Sequence, residues 1–380
     1  MNIVFIAHYP HLYGSIRSTI DLAKGLMDLG MHTYFVLPGK GSCSSWLEEH
    51  DIPFEILPIP LWVSEVTFQP SQKYQLFKKI FQTSQSLLNL IRRWDIDVVY
   101  TITSVTPVGR LAAQLAGLPH IWHIREFGDL DFSLQYVFPK PLCQAYIRHS
   151  DAVICHAKAV KAHHFQNSAP NIHQVYNGVA TKEQFEARLA QRQGTVPNDR
   201  FTFAMLSAIT HKKGQENAIK AMGSLKDKGV DANLLIAGSG KPDYLQQLNQ
   251  LVTDLGINDR VEFTGFVADP YPLYYASDCA LICSEHEALS RVGLEAMSTA
   301  LPLIGRNSGG NPEIIRSGET GFLYNTFEEL VDAMTCMVQN PELGWQMGLA
   351  GWEMAIQRFN IEDYASGVYR VIQSVMKEQA

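Results

Sequence analysis

The strongest constraint on how this chain can fold is a rhythm, in which short apolar runs alternate with longer amphipathic segments along almost its whole length. In the first half the runs lie at residues 3–7, 33–37, 54–59, 98–102, 120–124, 152–155 and 174–176. Helical periodicity fills much of the space between them, as at 15–29 and 105–116. Polar and apolar positions do not alternate strictly within the runs. That pattern predicts strands buried on both faces, in a parallel sheet flanked by helices.

The rhythm pauses over the polar stretch 180–200, which holds Gly194, Pro197 and Asn198 and reads as a linker. It resumes at 201–207, 234–237, 261–264, 280–283, 301–304 and 321–324. The tail, 341–377, reads as two helices broken at Phe359 and Asn360. The expectation is α/β, with two Rossmann-like, doubly wound domains at residues 1–185 and 186–359. The C-terminal helix, 360–380, is expected to pack back on the first domain. A chain of 380 residues is long enough for two cores. Ligands of such sheets bind beyond the carboxyl ends of the strands, so two facing domains make an interdomain cleft.

Composition excludes some functions. A net charge of −7 gives no support to nucleic-acid binding. The six cysteines form no CxxC pair and lack the neighbouring His or Cys that a zinc site needs. Residues 1–7, MNIVFIA, carry no basic leader and too short an apolar stretch for a signal peptide. No segment reaches the roughly 20 apolar residues of a spanning helix. The expected location is cytoplasmic, with contact at the inner face of the cell membrane as an option.

The densest chemistry is SEHEALSRVGLEAMSTALPLIGRNSGGNPEIIRSGETGFL, from Ser284 to Leu323. Glu287 falls in a loop after the apolar run 280–283. Ser290 is placed to cap a helix over 291–299, whose second turn holds Glu295. Both carboxylates can then border one pocket, and Gly293 lets a ligand or backbone come close. The start of that helix offers unpaired amides suited to a diphosphate. An isolated pair of glutamates would read as solvated surface acids.

The spacing around this pair resembles the signature of the family-four retaining glycosyltransferases, which have the GT-B fold. Glu287, Glu295, Ala296, Met297, Gly309, Gly310, Pro312, Glu313, Thr320, Gly321 and Phe322 match it in order. The resemblance covers most of the chain. His211, Lys212, Lys213, Gly214 and Gln215 resemble the Lys-Gly segment opening the second domain. Residues 235–240 resemble its Gly-x-Gly strand end, 261–266 its base-pocket loop, and 275–278 the Ser-Asp before the signature. Asn177, Gly178 and Val179 resemble the turn closing the first domain, and residues 14–29 the N-terminal glycine loop and helix. Three positions depart: Ala208 stands where many members have a second phosphate-clamping arginine, Leu289-Ser290 replaces a Phe-Gly, and Gly14-Ser15 replaces paired glycines.

The resemblance implies a retaining transfer of a sugar from a UDP- or GDP-sugar to a glycan, lipid-linked or small-molecule acceptor. It implies that Lys213 neutralises the donor diphosphate, with Lys212, His211 or Arg291 compensating for Ala208. By the same resemblance Gly14, Leu289, Ser290 and Arg291 would complete the donor site. Glu295 would hold the ribose, Glu287 the transferred sugar, and the backbone near Gly265 and Phe266 the base. His123 would approach the donor sugar, although a buried or capping histidine is the commoner fate of such a residue. Ser15, Arg17, Arg125 and Asn177 are acceptor or cleft candidates. No metal or other cofactor is implied, because protein cations and amides can stabilise the leaving group.

Residues 66–94 carry Lys73, Lys78, Lys79, Arg92 and Arg93 and no acid, together with a strong apolar component. This reads as a sheet-covering helix, as a surface that docks on an anionic bilayer, or as both. A nicotinamide dehydrogenase is excluded, since neither glycine-rich strand end has its fingerprint. A GT-B sugar-nucleotide epimerase and a non-catalytic binding subunit remain as alternatives.

Overall fold

A computed structural model describes residues 1–166, 169–195 and 199–379. The chain divides into two compact units, Met1–Gly178 with Ile361–Ala380, and Val179–Asn360. Both are α/β with a wholly parallel main sheet, as the apolar runs predict.

The first unit contains β1 (Asn2–Ile6), β2 (His32–Leu37), β3 (Phe54–Ile56), β4 (Val98–Ile102), β5 (His120–Ile124), β6 (Ala152–Cys155) and β7 (Ile172–Gln174). Their order is β3-β2-β1-β4-β5-β6-β7, with Ile3 opposite Val98 and Tyr100 opposite Ile121. The order reverses at β1, which makes a crevice at the carboxyl ends of the central strands. Every residue of β4, β5 and β6 is buried, which explains why these strands read as runs rather than alternations.

One face of this sheet is covered by the helices Gly14–Asp28 and Ile361–Gln379. Phe5, Phe35 and Tyr100 pack ring to ring at 5.0 and 5.1 Å beneath them. A Cβ added at Gly25 would lie 2.5 Å from the Ala365 Cβ, so the glycine lets the two helices touch. The helices Pro70–Arg93 and Val108–Ala116 pack on each other, tied by the Ser84 hydroxyl to the Val108 carbonyl at 3.2 Å. A two-stranded antiparallel ribbon, Val63–Ser64 with Gln135–Tyr136, stands apart from the sheet.

The second unit contains β8 (Phe201–Leu206), β9 (Ala232–Ala237), β10 (Val261–Gly265), β11 (Cys279–Ile282), β12 (Leu303–Arg306) and β13 (Gly321–Tyr324). Their order is β10-β9-β8-β11-β12-β13. Phe203, Met205, Leu234 and Ile236 project into a core with Ile219 and Met222 of the helix Gln215–Asp227.

Three local expectations are corrected. The expected linker at 180–200 contains the helix Lys182–Gln193, and Pro197 and Asn198 lie outside the described residues. Thr181 caps this helix through a bond from the Gln184 amide at 3.1 Å, and the Gln184 side chain returns a bond to the Thr181 amide at 3.0 Å. The helix docks where the Trp352 indole donates to the Phe185 carbonyl at 2.9 Å. The strand placed at 174–176 runs instead over Ile172–Gln174. The one placed at 54–59 stops at Ile56, two residues before Pro58, because proline cannot supply the ladder donor.

Candidate active site

The signature stretch folds as a loop and a short helix beyond β11. Ser290 caps the helix Arg291–Met297, its hydroxyl accepting from the Gly293 amide at 3.2 Å. Two close approaches account for the glycine pair that follows. A Cβ on Gly309, whose φ is +57°, would lie 2.1 Å from the Glu287 carbonyl, and one on Gly310 would lie 2.1 Å from the Ala288 carbonyl. The Gly310 amide donates to the Glu287 carbonyl at 2.7 Å. The Gly-Gly pair therefore clamps the backbone of the glutamate loop.

Glu287 accepts from Lys213 Nζ at 2.7 Å, with side chains 16% and 31% exposed, so a ligand can reach both. Lys213 gets there because Gly214, at φ +76°, presses against β11: a Cβ would lie 2.4 Å from the Cys283 carbonyl. Glu295 is more enclosed, with a side chain only 5% exposed, and accepts from Arg291 Nε at 2.8 Å. Arg291, expected to help replace the missing arginine at Ala208, is thus held in part by Glu295. The helix itself has only seven residues. Lys212 precedes Lys213 in the same turn. Leu289 is buried beside the cap, and the Phe266 ring is 58% exposed. Gly265 takes φ +74° and its carbonyl accepts from the Gly238 amide at 2.8 Å, which joins the ends of β9 and β10.

The first-unit candidates occupy unlike settings. His123 is wholly buried: its Nδ1 pairs with the Tyr100 hydroxyl at 2.6 Å, and its Nε2 has no partner. Burial, and then the Arg125 charge, hold the ring well below its usual pKa. Enclosed in this way, His123 touches a sugar only if its cover moves. Arg125 is 7% exposed and directed inward rather than toward a ligand. Its guanidinium donates to the Ser15 carbonyl, to Thr19 Oγ1 at 2.6 Å and to the Tyr364 hydroxyl at 2.6 Å, and it meets His123 Nδ1 at 3.1 Å. It ties the Gly14–Asp28 helix to the Ile361–Gln379 helix. Gly14 opens the first of these at φ +40°, and Arg17 lies half-buried in its first turn. Asn177 is buried, with an unpartnered Oδ1.

Sequence reading missed a group around Ser104, Glu126 and Tyr136. Glu126 is buried and accepts from the Ser104 amide at 2.6 Å and hydroxyl at 2.7 Å. Burial raises its carboxyl pKa. The only hint was the aromatic and acidic mixture after β5, which has no periodicity. Among the described residues no cluster of His, Cys, Asp or Glu is arranged to hold a metal ion, and no helix is long and apolar enough to cross a membrane.

Two α/β units, each built on a wholly parallel main sheet, give the architecture of GT-B glycosyltransferases. The model of Glycosyltransferase Family 4 matches residues 14–183 and that of Glycosyl transferases group 1 matches residues 187–352. The chain belongs to this family of retaining glycosyltransferases, which use nucleotide-sugar donors. It is 25% identical over 98% of its length, and 97% of the relative's, to the N-acetyl-alpha-D-glucosaminyl L-malate synthase of Bacillus anthracis. A GDP-mannose-dependent alpha-(1-6)-phosphatidylinositol monomannoside mannosyltransferase of Mycobacterium tuberculosis is 31% identical, over 47% of this chain and 49% of that one. Among solved structures, Anabaena Alr3699/HepE in complex with UDP superposes with a TM-score of 0.79 at 23% identity, covering 98% of this chain and 100% of that one.

Proposed function

We propose that this enzyme transfers a hexose from a UDP- or GDP-sugar, with retention, to a glycan or lipid-linked acceptor in polysaccharide or glycoconjugate synthesis. The observation that carries the reading is the Lys213–Glu287 pair at 2.7 Å. It sets a cation suited to a departing diphosphate against a carboxylate suited to the sugar it leaves. Residues 186–359 serve the donor and residues 1–185 the acceptor. The exposed Phe266 ring offers a face to the base, and Glu295, already holding Arg291, reaches the ribose. His123 Nε2, unpartnered, is the atom that ring would offer to the sugar.

The presence of UDP in the Anabaena structure favours uridine as the base. Relatives named as a phosphatidylinositol monomannoside mannosyltransferase and an alpha-monoglucosyldiacylglycerol synthase support a lipid-linked acceptor. A cytoplasmic enzyme at the inner membrane face accords with that, with the basic Pro70–Arg93 helix as the contact. The decisive experiment is a thermal-shift screen against UDP, GDP and ADP sugars, followed by transfer assays with and without EDTA. UDP- or GDP-sugars should raise the melting temperature, and EDTA should leave turnover intact. Turnover of donor into an epimer without acceptor would reject transfer, and turnover restored only by magnesium or manganese would reject the metal-free leaving group.

A further inference from the structure

A cavity of about 380 Å³ opens in the first unit at the carboxyl ends of β4 and β5, within the size range of small-molecule sites. Ser104 follows β4, Phe127 and Asp129 follow β5, Gln135 and Tyr136 come from the two-stranded ribbon, and Lys140 stands at the edge. The walls are tied in place. The Asp131 carboxylate accepts from the Phe127 amide at 2.9 Å and the Gly128 amide at 2.7 Å. Trp62 donates its indole N–H to the Ser104 carbonyl at 2.7 Å, and its carbonyl accepts from the Val137 amide at 2.8 Å. A pocket built in advance loses less entropy on binding.

Its charges select against acids. The cation at its edge, Lys140, is already held by Asp129 at 3.0 Å, and His163 Nε2 meets the same carboxylate at 2.8 Å. The Leu130 amide also donates to it at 3.0 Å; a carboxylate has about four lone-pair positions, so Asp129 can still accept from one hydroxyl. The Ser104 side chain is itself held, its hydroxyl donating to Glu126 at 2.7 Å. An entering carboxylate or phosphate would meet the Asp129 carboxylate, with Lys140 already paired to it. A neutral ring bearing hydroxyls would donate to Asp129, bond the Gln135 amide, and lay its C–H face on Tyr136. That ring is braced edge-on by Trp62 at 5.5 Å.

We infer that this cavity receives a neutral sugar ring, the terminal residue of a glycan acceptor, and not a small acid or a phosphate. The assignment of this ring as acceptor rests on the transferase reading. Saturation-transfer NMR on the full chain tests it with methyl α-D-glucoside, methyl α-D-mannoside and methyl β-D-galactoside, against L-malate and glycerol 3-phosphate. A glycoside should bind and the acids should not. Asp129→Asn should weaken the glycoside about tenfold, the scale of one lost hydrogen bond to a charged group, and Gln135→Ala about threefold, the scale of a neutral one. The exposed Gln135 serves as the check if Asp129→Asn fails to melt like wild type. UDP-induced thermal shift and acceptor-free donor hydrolysis should be unchanged in both variants, and they report the donor reading separately. Binding of the acids alone, silence from every glycoside at high millimolar concentration, or unchanged affinity in the folded variants would each overturn the inference.

Discussion

Glu287 and Glu295 stand eight positions apart in unlike surroundings. Glu287 faces an accessible lysine, whereas Glu295 lies enclosed against Arg291 on its own helix. If Glu287 faces the sugar, it acts where oxocarbenium charge develops, and Glu287→Gln should lower kcat on the order of a hundredfold. The same change frees Lys213, so UDP should bind as tightly as to wild type or more so by calorimetry. Glu295→Gln should raise the donor KM more than it lowers kcat, because the ribose is unchanged during transfer. A Glu287→Gln enzyme altered only in KM would reverse the roles. Both glutamates were legible in the sequence because one local motif contains them. The inward turn of Arg125 was not, since its partners Ser15 and Tyr364 lie 110 and 239 residues away.

The buried and partly buried histidines carry a second residue-scale consequence. Burial lowers His8 to about 4, His156 to about 3 and His164 to about 4, and holds His120 and His123 well below their usual value. Their unfolded counterparts take a proton near pH 6.5. Below that pH the unfolded chain binds more protons, and each group removes up to ~1.4 kcal/mol of stability per pH unit until its folded pKa is reached. The buried Glu126, raised by desolvation, works in the opposite sense. Calorimetry should show stability falling steeply from pH 6.5 to 4. His164→Gln, which cannot protonate but can still donate to the Glu126 carbonyl that His164 Nε2 meets at 2.8 Å, should show a shallower fall. An equal slope in this variant would remove His164 from the account.

Among the elements, the helix Pro70–Arg93 has two faces with different demands. Leu76, Ile80, Leu87, Leu88, Leu90 and Ile91 are buried, while Tyr74, Phe77 and Phe81 are 67%, 59% and 45% exposed. Spaced at i, i+3 and i+7, these rings form one stripe with Lys78 beside it. Aromatic rings beside basic residues suit the interface of an anionic bilayer. Wild type should co-sediment with phosphatidylglycerol vesicles and be released as salt rises. Replacing Lys78, Lys79, Arg92 and Arg93 by Gln, or Tyr74, Phe77 and Phe81 by Ser, should reduce binding strongly; equal sedimentation would exclude this helix. The buried face of such an element is legible because burial imposes a period. The helix Lys182–Gln193 escaped because Phe185 alone is buried on it, and the ribbon because strands of two residues show no period at all.

At the scale of the whole molecule, the two units make unequal demands on the chain. Val179–Asn360 is continuous and has its own core, whereas the first unit is completed by residues from the far end. Tyr364, Ala365, Val368, Val371, Ile372 and Val375 lie in the core over β1 and β4, and Tyr364 also accepts from Arg125. At about 1.5–3 kcal/mol for each large buried side chain, removing them costs on the order of 10 kcal/mol, as much as a whole domain's net stability. A fragment of residues 179–360 should therefore melt cooperatively and shift upward with UDP. Residues 1–178 alone should lack a cooperative transition. The chain leaves and re-enters the first unit at one place, since the Val179 amide donates to the Phe359 carbonyl at 3.0 Å. Joining 1–178 to 361–380 through a short Gly/Ser linker should then restore cooperative melting. If residues 1–178 melt as sharply without the helix as with it, the C-terminal segment is a passive cover and the discontinuous unit is not a folding unit.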